Sequence, residues 1–129
     1  MSTLRVFKQI LRRQGFKVDT AKDGEEGKEK MKNMSFDAVL ISFSLADMDG
    51  IDLLLFTTKS MPNAAKLIAT GFPSLRNGLK AIEAGADAYF SKPVSPEELI
   101  LVIENKLEQV RRENKQSEST KSPNAIRRS

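Results

Sequence analysis

Apolar positions along this chain follow two periods that alternate. The opening stretch STLRVFKQILRRQGF sets Leu4, Phe7, Ile10 and Leu11 on one face at helical spacing, with Ser2 or Thr3 at the capping position and Gly15 as the stop. KVDTA is short enough for a strand. DGEEGKEKMKN then predicts a helix capped by Asp23, with acids in its first turn. FDAVLISF is a continuous apolar run, the pattern of a strand buried on both faces. GIDLLLFTTKS predicts a helix that ends ahead of Pro62, and KLIAT a second buried strand. PSLRNGLKAIEAG predicts a helix closed by Gly85, followed by the strand DAYFS. The last periodic segment, SPEELILVIENKLEQVRREN, is long, with Ser95 as N-cap and Pro96 at the first helical position.

Strands alternate strictly with helices and no repeat is visible. That order predicts a doubly wound parallel α/β sheet in a three-layer α/β/α arrangement, with four strands in the chain. At 129 residues the length suits one domain with a real core. The opening is unusual, because a doubly wound fold normally starts with a strand. Apolar residues at 40% and charged residues at 29% fit a soluble globular protein, so a cytoplasmic location is the expectation. No segment approaches the ~18 apolar residues that would cross a bilayer. The absence of Cys and His excludes disulfides, thiolate metal sites and histidine as a general base.

The formal charge of +4 first suggests nucleic acid, but its location changes the picture. From residue 111 onward six basic residues face two acids, which accounts for all of it. The preceding 110 residues hold 15 of each sign. We therefore expect a domain over residues 1–112 and a basic, polar and disordered tail over 113–129. The tail carries no aromatic residue, so nucleic-acid binding is the disfavoured reading of it.

In this order and spacing, GFKVDTAKDGEEG, FDAVLISFSLADMDGIDLL, LIATGF, AIEAGADAYFSKPV and SPEELILVI resemble the receiver domain of two-component response regulators, the chemotaxis-type flavodoxin-like fold. The resemblance covers roughly residues 3–112. It implies a site at the strand ends: two acids on the first strand holding Mg²⁺, and an Asp on the third strand that takes a phosphoryl group. A Thr or Ser ends the fourth strand, and a Lys ahead of a proline, usually cis, ends the fifth. Thr70 matches the hydroxyl position, Lys92-Pro93 the lysine and proline, and Tyr89 the aromatic that rotates with activation. Thr70 and Tyr89 are thus the switch-equivalent positions. Two departures stand out. Ser42 occupies the phosphoacceptor position, and the first strand with its metal-binding acids is missing.

These losses decide the expected chemistry. Mg²⁺ needs carboxylate oxygens, so Mg²⁺ binding is not expected, and no other cofactor is implied. Asp47 and Asp49 are read as turn and capping residues of the following helix. A serine hydroxyl without a base is a poor nucleophile, so Ser42 is not expected to be phosphorylated, and the chain is not expected to be an enzyme. The favoured reading of Ser42 is a small polar filler bonded to Lys92 or Thr70, leaving Ser42, Thr70 and Lys92 as a vestigial site. Lys92 itself is expected in solvent or paired with Asp47 or Asp49, rather than holding an anion.

The receiver strand order is 2-1-3-4-5, so loss of the first strand leaves two neighbours without the partner between them. Closure of the second strand onto the third, backbone pairing with another protomer, or a start farther upstream would each compensate. The leading expectation is a phosphorylation-independent pseudo-receiver: a homo-oligomeric interaction module that docks a signalling partner through residues 74–110, with no membrane contact. Leu107 and Val110 are the candidates for an exposed surface on the last helix. The competing expectation is a working phosphorelay receiver whose first strand and acids lie upstream.

Overall fold

The computed structural model describes residues 2–119, with side chains described for 7–114. Capping by Ser2 or Thr3, the packing of Leu4 and the segment 120–129 lie outside those limits. The elements in chain order are α1 (Ser2–Arg13), α2 (Gly24–Asn33), β1 (Ala38–Ser42), α3 (Gly50–Ser60), β2 (Ala65–Thr70), α4 (Leu75–Glu83), β3 (Ala88–Ser91) and α5 (Pro96–Ser119). The three strands form one parallel sheet in the order β1-β2-β3, with Leu40 opposite Leu67 and Ile68 opposite Tyr89. This is a parallel α/β fold, with two helices ahead of its first strand.

Side-chain alternation along the central strand builds the two covering layers. Leu67 points to one face, where it meets Leu99 and Ile103 of α5 together with Phe7 and Leu11 of α1. Ile68 points to the other, among Met31 of α2, Leu53 and Leu54 of α3 and Ala81 of α4. Every residue of β2 is buried. The predicted helix ends hold as well. Asp23 accepts from the Glu26 N–H at 2.9 Å and Ser95 from the Glu98 N–H at 3.3 Å. Gly15 and Gly85 take positive φ values of 96° and 107° where their helices stop, the conformation that glycine adopts without strain.

One expectation needs correction. KVDTA is not a strand, so the sheet has three strands rather than four. A strand exists only through its ladder, and β1 is out of reach of this segment. Two of its carbonyls are taken by side chains instead: Arg12 donates to the Val18 carbonyl and Lys30 to the Thr20 carbonyl. Closure of this segment onto β1, one of the three expected arrangements, is thereby ruled out. A cavity of about 470 Å³ lies there, lined by residues 16–21 on one side and Ala38–Ser42 on the other. α5 is helical as far as Ser119.

Candidate functional site

The C-terminal ends of the three parallel strands bring Ser42, Thr70 and Ser91-Lys92 side by side, although they are far apart in sequence. The backbone N–H of Lys92 donates to the Thr70 carbonyl at 2.8 Å, which fixes where the lysine leaves the sheet. Its Nζ then donates to Ser42 Oγ at 3.1 Å. The Lys92-Pro93 peptide bond is cis. Lys92 is exposed and forms no ion pair among the described residues. Thr70, in contrast, is buried, and its hydroxyl accepts from the Phe72 N–H at 3.1 Å. Tyr89 lies against α4, where its hydroxyl accepts from the Ser74 N–H at 3.2 Å and its ring covers Gly78.

The two acids beyond Ser42 are committed elsewhere. Asp49 caps α3. Asp47 reaches a different helix from the expected one: its two carboxylate oxygens accept from the Gly24 and Glu25 N–H groups at 2.8 and 2.9 Å. Those backbone donors at the start of α2, Gly24 foremost, hold the Asp47 carboxyl below the usual range, opposed by partial burial and helped by the Lys28 charge. Neither acid pairs with Lys92. The loop carrying them is shaped by Gly50, where an added Cβ would sit 2.2 Å from the Ser42 carbonyl oxygen. Only glycine lets α3 start this close to the end of β1.

Three local patterns bring these groups together: a buried strand, a glycine at the following helix start, and a lysine ahead of proline. The comparisons with known proteins agree with them. The family model described as the response regulator receiver domain matches residues 2–104. The chain belongs to the response regulator receiver domain family. Among solved structures, the receiver is similar to a CheY-like receiver domain protein from Methanospirillum hungatei, with a TM-score of 0.81 and 38% identity over 87% of this chain and 90% of that one. It is also similar to the beryllofluoride-activated NtrC4 receiver domain dimer, with a TM-score of 0.78 and 29% identity over 84% and 90% of the two chains. Among curated relatives, the cell cycle transcriptional regulator CtrA of Caulobacter vibrioides is 32% identical over 102 residues, 79% of this chain and 44% of CtrA. ZraR of Klebsiella oxytoca is 31% identical over 111 residues, 86% of this receiver and 25% of ZraR. The chain thus spans less than half the length of these two relatives.

A second feature lies beside the site. Phe72, Leu75, Leu79 and Ile82 are 87%, 80%, 52% and 63% exposed, forming an apolar stripe along α4 and the loop before it. The small residues Ala81 and Ala84 take the buried side. Helical periodicity marks such a stripe but cannot tell an inward face from an outward one, so these residues were not singled out in the sequence. On α5 the exposed large apolar residue is Leu101, whereas Leu107 packs onto the Leu67 cluster and so is not a free surface.

Proposed function

We propose that this receiver domain of a two-component response regulator acts without phosphorylation, as a pseudo-receiver that works through protein contacts. The observation carrying the reading is the Lys92–Ser42 hydrogen bond at the position where the family resemblance calls for a carboxylate. A carboxylate there would offer two acceptor oxygens to a phosphoryl group or a divalent cation; the hydroxyl offers neither the charge nor the acyl linkage. Asp47 and Asp49 do not make up the loss, because each is used at a helix N-terminus. This donor set does not fit Mg²⁺. The absence of a phosphoryl acceptor also argues against catalysis of phosphoryl transfer by this chain.

The contact surface in this reading is α4 with its preceding loop, which begins the 74–110 region and reaches back to Phe72. Its apolar stripe supports docking of a signalling partner or self-association, since four adjacent large apolar side chains in water favour burial. A structural neighbour is described as a receiver domain dimer, which supports an oligomeric form here. The deciding experiment is incubation with acetyl phosphate and Mg²⁺, followed by intact mass measurement. No phosphate adduct is expected. A phosphate adduct on this chain, acid-stable if carried by Ser42 and labile if carried by a carboxylate, would overturn the reading and favour a working receiver whose acids are supplied from elsewhere.

A further inference from the structure

Helix α4 is weakly built at its start. Its 9 residues fall below the ~12–15 at which an isolated helix becomes even marginally stable in water, and its interior holds Gly78, among the poorest helix formers. The buried residues on its inner side, Ala81 and Ala84, both lie past the first turn. None of residues 75–78 is buried. That turn needs another anchor.

Tyr89 of β3 supplies it. Its ring lies so close to the Gly78 backbone that an added Cβ would sit 3.3 Å from both Cδ2 and Cε2. Its hydroxyl accepts from the Ser74 N–H at 3.2 Å and faces the Ser74 carbonyl at 3.5 Å. Ser74 is the N-cap: its Oγ accepts from the Asn77 N–H at 3.1 Å and its carbonyl from the Gly78 N–H at 3.0 Å. One side chain thus spans the first turn from cap to glycine. Among the described residues no hydrogen bond joins Tyr89 to Thr70, whose hydroxyl accepts from the Phe72 N–H.

The order of this turn decides the shape of the apolar stripe. Leu75, Leu79 and Ile82 share one face only at the i, i+4, i+7 spacing of a formed helix. Leu75 is the first helical residue. When the first turn opens, Leu75 leaves the row while Leu79 and Ile82 stay in it.

We propose that Tyr89 is a positioning residue that latches the first turn of α4, so that the apolar row is complete only while the ring sits on Gly78 and the hydroxyl on Ser74. The two states are a latched helix with three aligned side chains and an open one with residues 74–78 frayed and Tyr89 in solvent. A partner that covers the whole row binds the latched state and, by linkage, suppresses opening. The latch rests on the reading of α4 as the contact surface and gives that surface its regulation.

The test uses the full chain. Tyr89 is its single tyrosine and it has no tryptophan, so intrinsic fluorescence reports on this ring alone. In Tyr89→Phe the amides of Asn77 and Gly78 should exchange about fivefold faster by NMR, the size of one net hydrogen bond, with Leu67 and Ile68 of β2 unchanged. Gly78→Leu separates the latch from helix propensity. Leucine is the better helix former, so propensity alone would slow exchange at Asn77. With the leucine in the place of the ring, the latch predicts faster exchange there and readier quenching of Tyr89 fluorescence by iodide. Tyr89→Ala removes ring and hydroxyl together. It should weaken association through the stripe about threefold by light scattering, because apparent affinity falls with the competent fraction. Unchanged exchange in Tyr89→Phe, loosening that extends equally to Leu67 and Ile68, or slower exchange in Gly78→Leu overturns the proposal. So does undiminished association of Tyr89→Ala. Failure of the contact-surface reading looks different: the wild type would not associate, while the faster exchange in Tyr89→Phe would persist and uphold the latch.

Discussion

A serine facing a lysine is a different electrostatic unit from an aspartate facing a lysine. The Lys92 ammonium gains one neutral acceptor, which holds its position but offers nothing to a phosphoryl group. Replacing Ser42 with Asp tests how much of the family's chemistry one residue carries. Ser42→Asp should pair with Lys92 yet remain free of phosphate after treatment with acetyl phosphate and Mg²⁺, because a single carboxylate does not hold that metal; intact mass gives the answer. Gly50 is the other residue on which the site depends. Gly50→Ala would drive a methyl into the Ser42 and Phe43 carbonyls and should cost about 1–3 kcal/mol or more, read from chemical denaturation. The capping serine, the Lys-Pro pair and the apolar strand were legible as local patterns. The reach of Asp47 to α2 was not, since that bond spans 23 residues and depends on where a loop lands.

At the scale of elements, α2 and α4 differ in what holds them. The start of α2 has Asp23 from its own chain segment and Asp47 from across the fold. The folded-state value of Asp47 lies below its unfolded value of 3.8, so its contribution is present above that pH and is lost as the pH falls through the depressed folded value. Asp47→Asn should therefore lower stability at neutral pH and flatten its decline between roughly pH 5 and pH 2, followed by circular dichroism. For α4 the expectation is reversed, because its large apolar side chains contribute little to the core. Leu75→Lys with Leu79→Lys should change folding stability by no more than about 0.5 kcal/mol per site while abolishing any concentration-dependent association through that stripe. Light scattering and thermal melts on the same samples separate the two effects.

Across the whole molecule, the sheet is asymmetric. β2 is enclosed and β3 is flanked by α4, while β1 borders a cavity that both helical layers span. Light scattering over a concentration series is the broad test of how the molecule completes itself. We expect an assembly larger than one chain that breaks down when the α4 stripe is charged. If assembly survives those substitutions, its interface lies elsewhere. Buried Lys66 marks the opposite end of the sheet: its Nζ donates to the Pro62 and Ala64 carbonyls, and burial lowers its proton affinity against the pull of Asp87. That lysine was not singled out in the sequence, where neighbours from distant segments are invisible.

By itself the sequence determined the element order, the parallel α/β class, the caps at Asp23 and Ser95, and the substitution of Ser42. These follow from periodicity and from residue chemistry acting within a few positions. Tertiary structure alone decided the number of strands, because KVDTA has strand length but no neighbouring backbone to bond. It also decided which face of α4 meets water and which helix Asp47 caps. Each of these depends on where a distant segment lies, and local pattern carries no record of that distance.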